Sequence, residues 1–159
     1  MDVTVEIERK FLLSEVPGAE AIGAGESLRQ GYLADDGDVS VRIRISGRTS
    51  VLTVKAGKGL SRTEVEVPLS GKQVDALWPH TAQRRVEKTR YRVPLAGDKE
   101  RFAEVDVYAG DLSGLCTVEV EFDSEAAAAE FDPPAWFGRD VTEEPGWKNS
   151  ELARNGVPQ

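Results

Sequence analysis

Charged residues recur in this chain at every second position, and that spacing carries chemistry. Glu6 and Glu8 stand two residues apart, as do Glu64 and Glu66, Glu104 and Asp106, and Glu119 and Glu121. Arg42 with Arg44 and Lys88 with Arg90 are the basic counterparts; Lys10 extends the first doublet, and Lys55 stands alone. In an extended chain alternate side chains share a face, so each doublet places like charges roughly 6.8 Å apart at ~3.4 Å of rise per residue. Two carboxylates at that separation repel by roughly 2.4 kcal/mol at an effective dielectric of ~20. A face built only for solubility would mix signs with Thr, Ser and Gln, and exposed ion pairs contribute only ~0–1 kcal/mol each. Like-charge grouping instead asks for a counter-charge. Acidic doublets take up hard divalent cations through oxygen ligands. Basic doublets take up oxyanions, and the arginine fork suits phosphate. Relieving both in one cavity means a phosphate chain bridged to metal. Because the acids outnumber the bases, such a cavity repels an anion until a cation enters, which points to a metal-dependent phosphoryl site.

The elements that position these residues read as strands. Val3 to Leu13 alternates, with Val5, Ile7 and Phe11 on one face against Glu6, Glu8 and Lys10 on the other. The same pattern predicts strands over Ser27–Leu33, Val39–Ser46, Val51–Lys55, Thr63–Leu69, Arg84–Val93, Arg101–Tyr108 and Thr117–Phe122. Gly31 inside the second marks a bulge or a close approach. Val16 to Glu26, rich in Gly, Ala and Pro, reads as a loop. Helices are predicted over Ser70–Leu77, capped by Ser70 and stopped by Pro79, and over Ser124–Phe131, capped by Ser124 and ended by Pro133-Pro134. A third, short one covers Asn149–Asn155. Eight strands joined mostly by hairpin-like turns favour an antiparallel sheet, a mainly β fold with two or three short helices. Such a sheet either leaves its charged face in water or curls until the charges line a cavity.

Bulk properties bound the partners. A chain of 159 residues without internal repeat or linker is expected to form a single domain over residues 1–159. A net charge of −8 argues against nucleic-acid binding. There is no apolar run long enough to span a bilayer and no signal peptide, and the lone Cys116 is compatible with a reducing cytosol, so a cytoplasmic protein without a membrane partner is expected.

The doublets also sit inside a recognisable series. Glu6-Ile7-Glu8-Arg9-Lys10 matches the ExExK signature of the triphosphate tunnel metalloenzymes of the CYTH superfamily. Behind it, in order, stand RQGYL (residues 29–33), VRIR (41–44), LTVK (52–55), LSRTEVE (60–66), RRVEKTRY (84–91), EVDVYAG (104–110), VEVEF (118–122) and VTEEPGWKN (141–149). The chain resembles the short bacterial members, which are similar to inorganic triphosphatases. The resemblance implies an eight-stranded antiparallel tunnel-like barrel, closed or partly open, with the helices outside or at one mouth. It implies Mg2+ or Mn2+ on Glu6, Glu8, Glu119 and Glu121, with Asp106 a contributor. Lys10, Arg42, Arg44, Lys55, Lys88 and Arg90 would hold a small-molecule polyphosphate, and Lys55 with Tyr32 would act on the attacking water. Lys55, beside Arg42 and Arg44, is expected to have a lowered pKa. Glu64, Glu66 and Glu104 would form a supporting charge network. VTEEPGWKN is expected to plug one tunnel mouth, with Lys148 facing phosphate.

The activity implied is hydrolysis of the terminal phosphate of tripolyphosphate by in-line water attack. The alternatives are a class IV-type adenylyl cyclase, a thiamine or nucleoside triphosphatase, and a non-catalytic polyphosphate-binding module. A homodimer is compatible with an apolar outer wall. Several residues tempt without fitting. His80 has no Cys or His companion, and Cys116 has no nucleophile context. The Ala56–Gly59 loop lacks P-loop spacing. Trp78, Trp136 and Trp147 read as packing anchors.

Overall fold

The computed structural model describes residues 2–16 and 23–159; the Pro17–Ile22 part of the expected loop lies outside the described residues. Eight antiparallel strands close on themselves: β1 (Asp2–Leu12), β2 (Glu26–Asp35), β3 (Val39–Ser46), β4 (Thr49–Ala56), β5 (Ser61–Pro68), β6 (Arg85–Leu95), β7 (Asp98–Tyr108) and β8 (Cys116–Glu121). Around the barrel the order is β1-β5-β4-β3-β2-β6-β7-β8, so the first and last strands meet. The expected curl into a cavity is therefore what the sheet adopts, fully closed. Closure gives each described strand a neighbour on both sides for at least part of its length.

β1 serves two neighbours in turn. Asp2 to Ile7 pairs with β5, ending at Ile7 opposite Ser61, and Glu8 to Leu12 pairs with β8, from Glu8 opposite Glu121 to Leu12 opposite Thr117. The side of β1 that β5 vacates is taken by a strap, residues 138–142. Gly138 donates its N–H to Leu12 O at 2.8 Å, Leu12 to Arg139 O at 2.9 Å, and Val141 to Lys10 O at 2.8 Å. The approach is so close that a Cβ on Gly138 would lie 2.5 Å from Leu12 O, which is why glycine stands there.

Because the charges point inward, the apolar core lies outside the barrel wall. Phe11, Val93, Val105, Val118, Val120 and Phe122 project from the wall and are covered by Ala128 of helix α2 (Glu125–Glu130) and by Phe137 of the strap's approach. Burial of such side chains, roughly 1.5–3 kcal/mol each, is what holds this jacket on. Helix α1 (Gly71–Leu77) starts with a full capping box, in which Ser70 Oγ accepts from Gln73 N and Gln73 Oε1 accepts from Ser70 N. A 3-10 turn, Trp78–Thr81, follows α1 and packs on β2. There Gly31 provides the close approach, since a Cβ would meet Thr81 Oγ1 at 2.5 Å; the bulge itself falls between Tyr32 and Ala34. A second apolar cluster, Val86, Tyr108, Leu112, Val141, Trp147 and Leu152, closes one end of the barrel beneath helix α3 (Asn149–Asn155). Val3 and Val5, at the start of β1, remain exposed on the outer wall. Among the described residues no helix is long and apolar enough to cross a membrane.

Candidate active site

Strand register turns the doublets into a ring of neighbours. Lys10 stands opposite Glu119, Lys55 opposite Glu64, Arg90 opposite Asp106, and Glu104 opposite Glu119. The result is two abutting hollows inside the barrel, of about 210 Å³ and about 70 Å³. Both are walled by Glu6, Glu8, Arg42, Lys55 and Glu119, and both reach Asn149 of α3. Arg44, Glu64, Glu66, Arg90, Glu104 and Glu121 line the larger one, while Lys10, Tyr32 and Lys148 line the smaller.

Glu6 and Glu8 on β1 and Glu121 on β8 bring one carboxylate oxygen each within 4.8 Å of one another. Burial pushes the Glu8 carboxyl well above its ordinary range, with the charge of Glu119 adding to it. Burial also raises Glu121, helped by Glu104 and Glu6. Both shifts express carboxylates crowded against one another, Glu8 within the wall and Glu121 at its exposed margin, and a hard cation on three oxygens relieves that crowding. The donor set therefore fits a divalent ion such as Mg2+ or Mn2+. The two other acids expected as ligands are placed differently. Asp106, with no exposed surface, receives Arg90 Nε at 2.8 Å on one oxygen and Arg90 Nη2 at 2.9 Å on the other, with Lys88 Nζ 2.8 Å away. Those cations hold its carboxyl far below the usual range despite burial. Glu119 sits between Lys10 at 3.8 Å and Arg90 at 3.9 Å, and is held down to about 2 by them against burial.

The basic residues divide in the same way. Arg42 is buried and its Nε has no hydrogen-bond partner, an orphaned donor in the wall of the hollow. Arg44 donates from Nε to Gln30 Oε1 at 2.9 Å, and burial with the neighbouring Arg42 and Arg90 lowers it to about 10. Arg90 reaches Glu104 at 2.9 Å as well as Asp106. Lys88 is shut behind Asp106, and burial pulls its amine down to about 7 against the attraction of Asp106. Lys10 donates to Trp147 O at 2.6 Å. Lys55 departs from the expected lowered pKa. Burial and Arg42 do pull it down, but Glu8 and Glu6, the latter 2.7 Å away, outweigh them and raise it. Glu64, 3.5 Å from Lys55 and beside Glu6, is raised to about 7 by burial and by Glu6. Glu66 lines the hollow beyond it. Tyr32 is buried and its hydroxyl lies 3.4 Å from Gln30 Nε2.

VTEEPGWKN does close one mouth, as expected. Trp147 packs into the end cluster, Lys148 faces the smaller hollow, and Tyr108 donates its hydroxyl proton to Asn149 Oδ1 at 2.6 Å. Gln30 and Asn149 escaped the sequence reading. Both are uncharged and belong to no doublet; only the β2–β3 register, which sets Gln30 opposite Arg44, reveals the first. His80, by contrast, is exposed at the 3-10 turn and contributes only a carbonyl, to Arg84 Nη2 at 3.1 Å. Cys116 is half-buried on β8.

Comparison with known proteins agrees with this geometry. Residues 4–144 match the CYTH domain. An inorganic triphosphatase of Nitrosomonas europaea is 49% identical over 149 residues, which are 93% of this chain and 96% of that protein. Another, from Acetivibrio thermocellus, is 36% identical over 152 residues, 94% of each chain. A crystal structure of an inorganic triphosphatase superposes with a TM-score of 0.70 at 43% identity, covering 96% of this chain and 97% of that one. A barrel with paired acids and bases turned inward, matched over nearly its whole length, places the chain in the CYTH domain family.

Proposed function

We propose that this protein hydrolyses the terminal phosphate of inorganic tripolyphosphate with the help of Mg2+ or Mn2+. The observation that carries the reading is the convergence, on two abutting hollows inside the barrel, of a three-carboxylate cluster with Lys10, Arg42, Arg44, Lys55 and Arg90. The two relatives named inorganic triphosphatase, 49% and 36% identical along nearly their whole lengths, support it. Glu6, Glu8 and Glu121 hold the cation. Once bound, that cation neutralises phosphate oxygens and polarises water.

The chain's own residues do the rest. Arg42 and Arg44 of β3 and Arg90 of β6 bind the phosphate oxygens, and the unpaired Nε of Arg42 is a donor ready for one of them. Their fixed positions supply charge where it accumulates on the transferring group and the departing diphosphate, the dominant contribution in phosphoryl transfer. Asp106 and Glu104 brace Arg90, and Lys88 braces Asp106, so these three act as supports. Lys55 is held protonated by Glu6 and Glu8. Burial and Arg42 oppose that charge, so Lys55 first releases its proton to solvent. The free amine would then take a proton from the attacking water while Tyr32 orients that water.

A substrate panel tests the reading. Purified protein with Mg2+ is expected to release phosphate from tripolyphosphate faster than from ATP or thiamine triphosphate, and chelator is expected to stop it. Cyclic AMP from ATP, or binding of tripolyphosphate without turnover, would overturn it.

A further inference from the structure

Arg9 lies between two tunnel residues in the sequence but points the opposite way, onto the outer wall. Its guanidinium is nonetheless almost fully committed. Nη1 donates to Ala128 O at 2.9 Å and Phe131 O at 3.0 Å, the carbonyls at the end of α2. Nε and Nη2 donate to Asp140 Oδ2 at 3.3 and 2.9 Å, and the plane lies over Phe11, 5.0 Å from the ring centroid. Asp140 uses its other oxygen to accept from Thr142 N at 2.9 Å and from the Thr142 hydroxyl. Thr142 Oγ1 in turn accepts from the backbone N–H of Lys10 at 3.0 Å. The chain of bonds thus begins outside the barrel at Arg9 and returns to β1 at Lys10, one residue further on.

We infer that Arg9 and Asp140 are positioning residues for substrate binding: a clamp that locks the 138–142 strap onto β1 and, through it, fixes the Lys10 ammonium on the tunnel wall. The strap leads within a few residues to Trp147, whose carbonyl is the partner of Lys10 Nζ at 2.6 Å, and to Lys148 and Asn149 at the hollow. Apart from Glu119 at 3.8 Å, that carbonyl is what holds the Lys10 head in place. A strap free to lift would let Lys10 swing, and its ammonium would have to be ordered again by each incoming polyphosphate. The penalty falls on binding, since Lys10 is assigned to hold phosphate and the proton transfer is assigned to Lys55 with Tyr32. Arginine is required because five donors in a planar fork reach Asp140 and two carbonyls at once; a lysine ammonium reaches Asp140 alone.

This inference rests on the triphosphatase reading for its kinetic half only. In Arg9→Ala and in Asp140→Asn, KM for tripolyphosphate is expected to rise about three- to tenfold with kcat nearly unchanged, the size of coupling between contacting residues. Arg9→Lys is expected to recover part of the loss. In a Lys10→Ala background Arg9→Ala is expected to add nothing further to KM, which a merely structural role would not produce. Independently of turnover, the Leu12, Gly138 and Val141 amides are expected to exchange hydrogen faster in Arg9→Ala, while β3–β4 amides keep their protection. Unchanged exchange at those three amides, an unchanged KM, or a KM effect that persists without Lys10 would each overturn the inference. A wild-type protein that leaves tripolyphosphate intact overturns the functional reading instead, and the exchange measurement still decides the clamp.

Discussion

At the scale of single residues, the acids of the tunnel fall into two kinds that the sequence does not distinguish. Glu8 and Asp106 are both acidic members of in-phase doublets, yet one has its proton affinity raised and the other lowered. The cause is local company: Glu8 faces other carboxylates, whereas Asp106 faces Arg90 and Lys88. Asp106→Asn is therefore expected to strand the buried Lys88 ammonium, to take from Arg90 one of its carboxylate partners and to destabilise the fold by about 3–5 kcal/mol. Its pH dependence follows from the depressed folded-state pKa. The stability Asp106 contributes is present above its unfolded value, near 3.8, and is lost as pH falls below that toward the folded value. Urea unfolding of both proteins is expected to show a gap at pH 7 that narrows below pH 4; a constant gap would contradict the ion-pair account. Lys55 is the converse lesson. Its basic neighbours were visible in the sequence and predict a lowered pKa, but the acids that win arrive from β1, on the far side of β5, and nothing in the LTVK stretch announces them.

At the scale of elements, most of what positions the site was legible. The strand pattern located all eight strands within a few residues of their ends, because most of them carry charges on one face and apolar side chains on the other. The helix starts at Ser70 and Ser124 were legible because both side chains accept from the N3 backbone N–H as expected, Gln73 and Ala127. What escaped was pairing without pattern. The strap reads FGRDVT, with Gly138 and no alternation, and is bonded to β1 through backbone atoms, which leave no mark on side-chain periodicity. Gly138→Ala is expected to force the strap off Leu12, costing about 1–3 kcal/mol of the kind associated with overpacking. The measurement is a thermal melt together with KM. A melt shift with wild-type KM would mean that the strap holds the jacket alone and has no part in arranging the tunnel.

At the scale of the molecule, the three-carboxylate cluster spans the seam where β1 meets β8. A cation there ties the two ends of the barrel together, and any ligand that binds only the folded state stabilises it, by ~2.7 kcal/mol at a hundredfold excess over Kd. Mg2+ is expected to raise the melting temperature of the wild-type protein, and chelator to reverse this. Glu8→Ala is expected to lose both the shift and the turnover while keeping a cooperative melt, since it deletes a buried carboxylate that burdens the metal-free fold. A Glu8→Ala protein with an intact metal shift would move the cation elsewhere.

The same seam dictates when the site can exist. A ribosome delivers Glu6 and Glu8 well ahead of the strand that carries Glu121, with six other strands made in between. Until then the leading doublet waits beside an open curl, and no shorter nascent product can assemble the acidic trio. Such a long-range contact is slow to form, and the acidic trio is completed only after translation has passed the eighth strand.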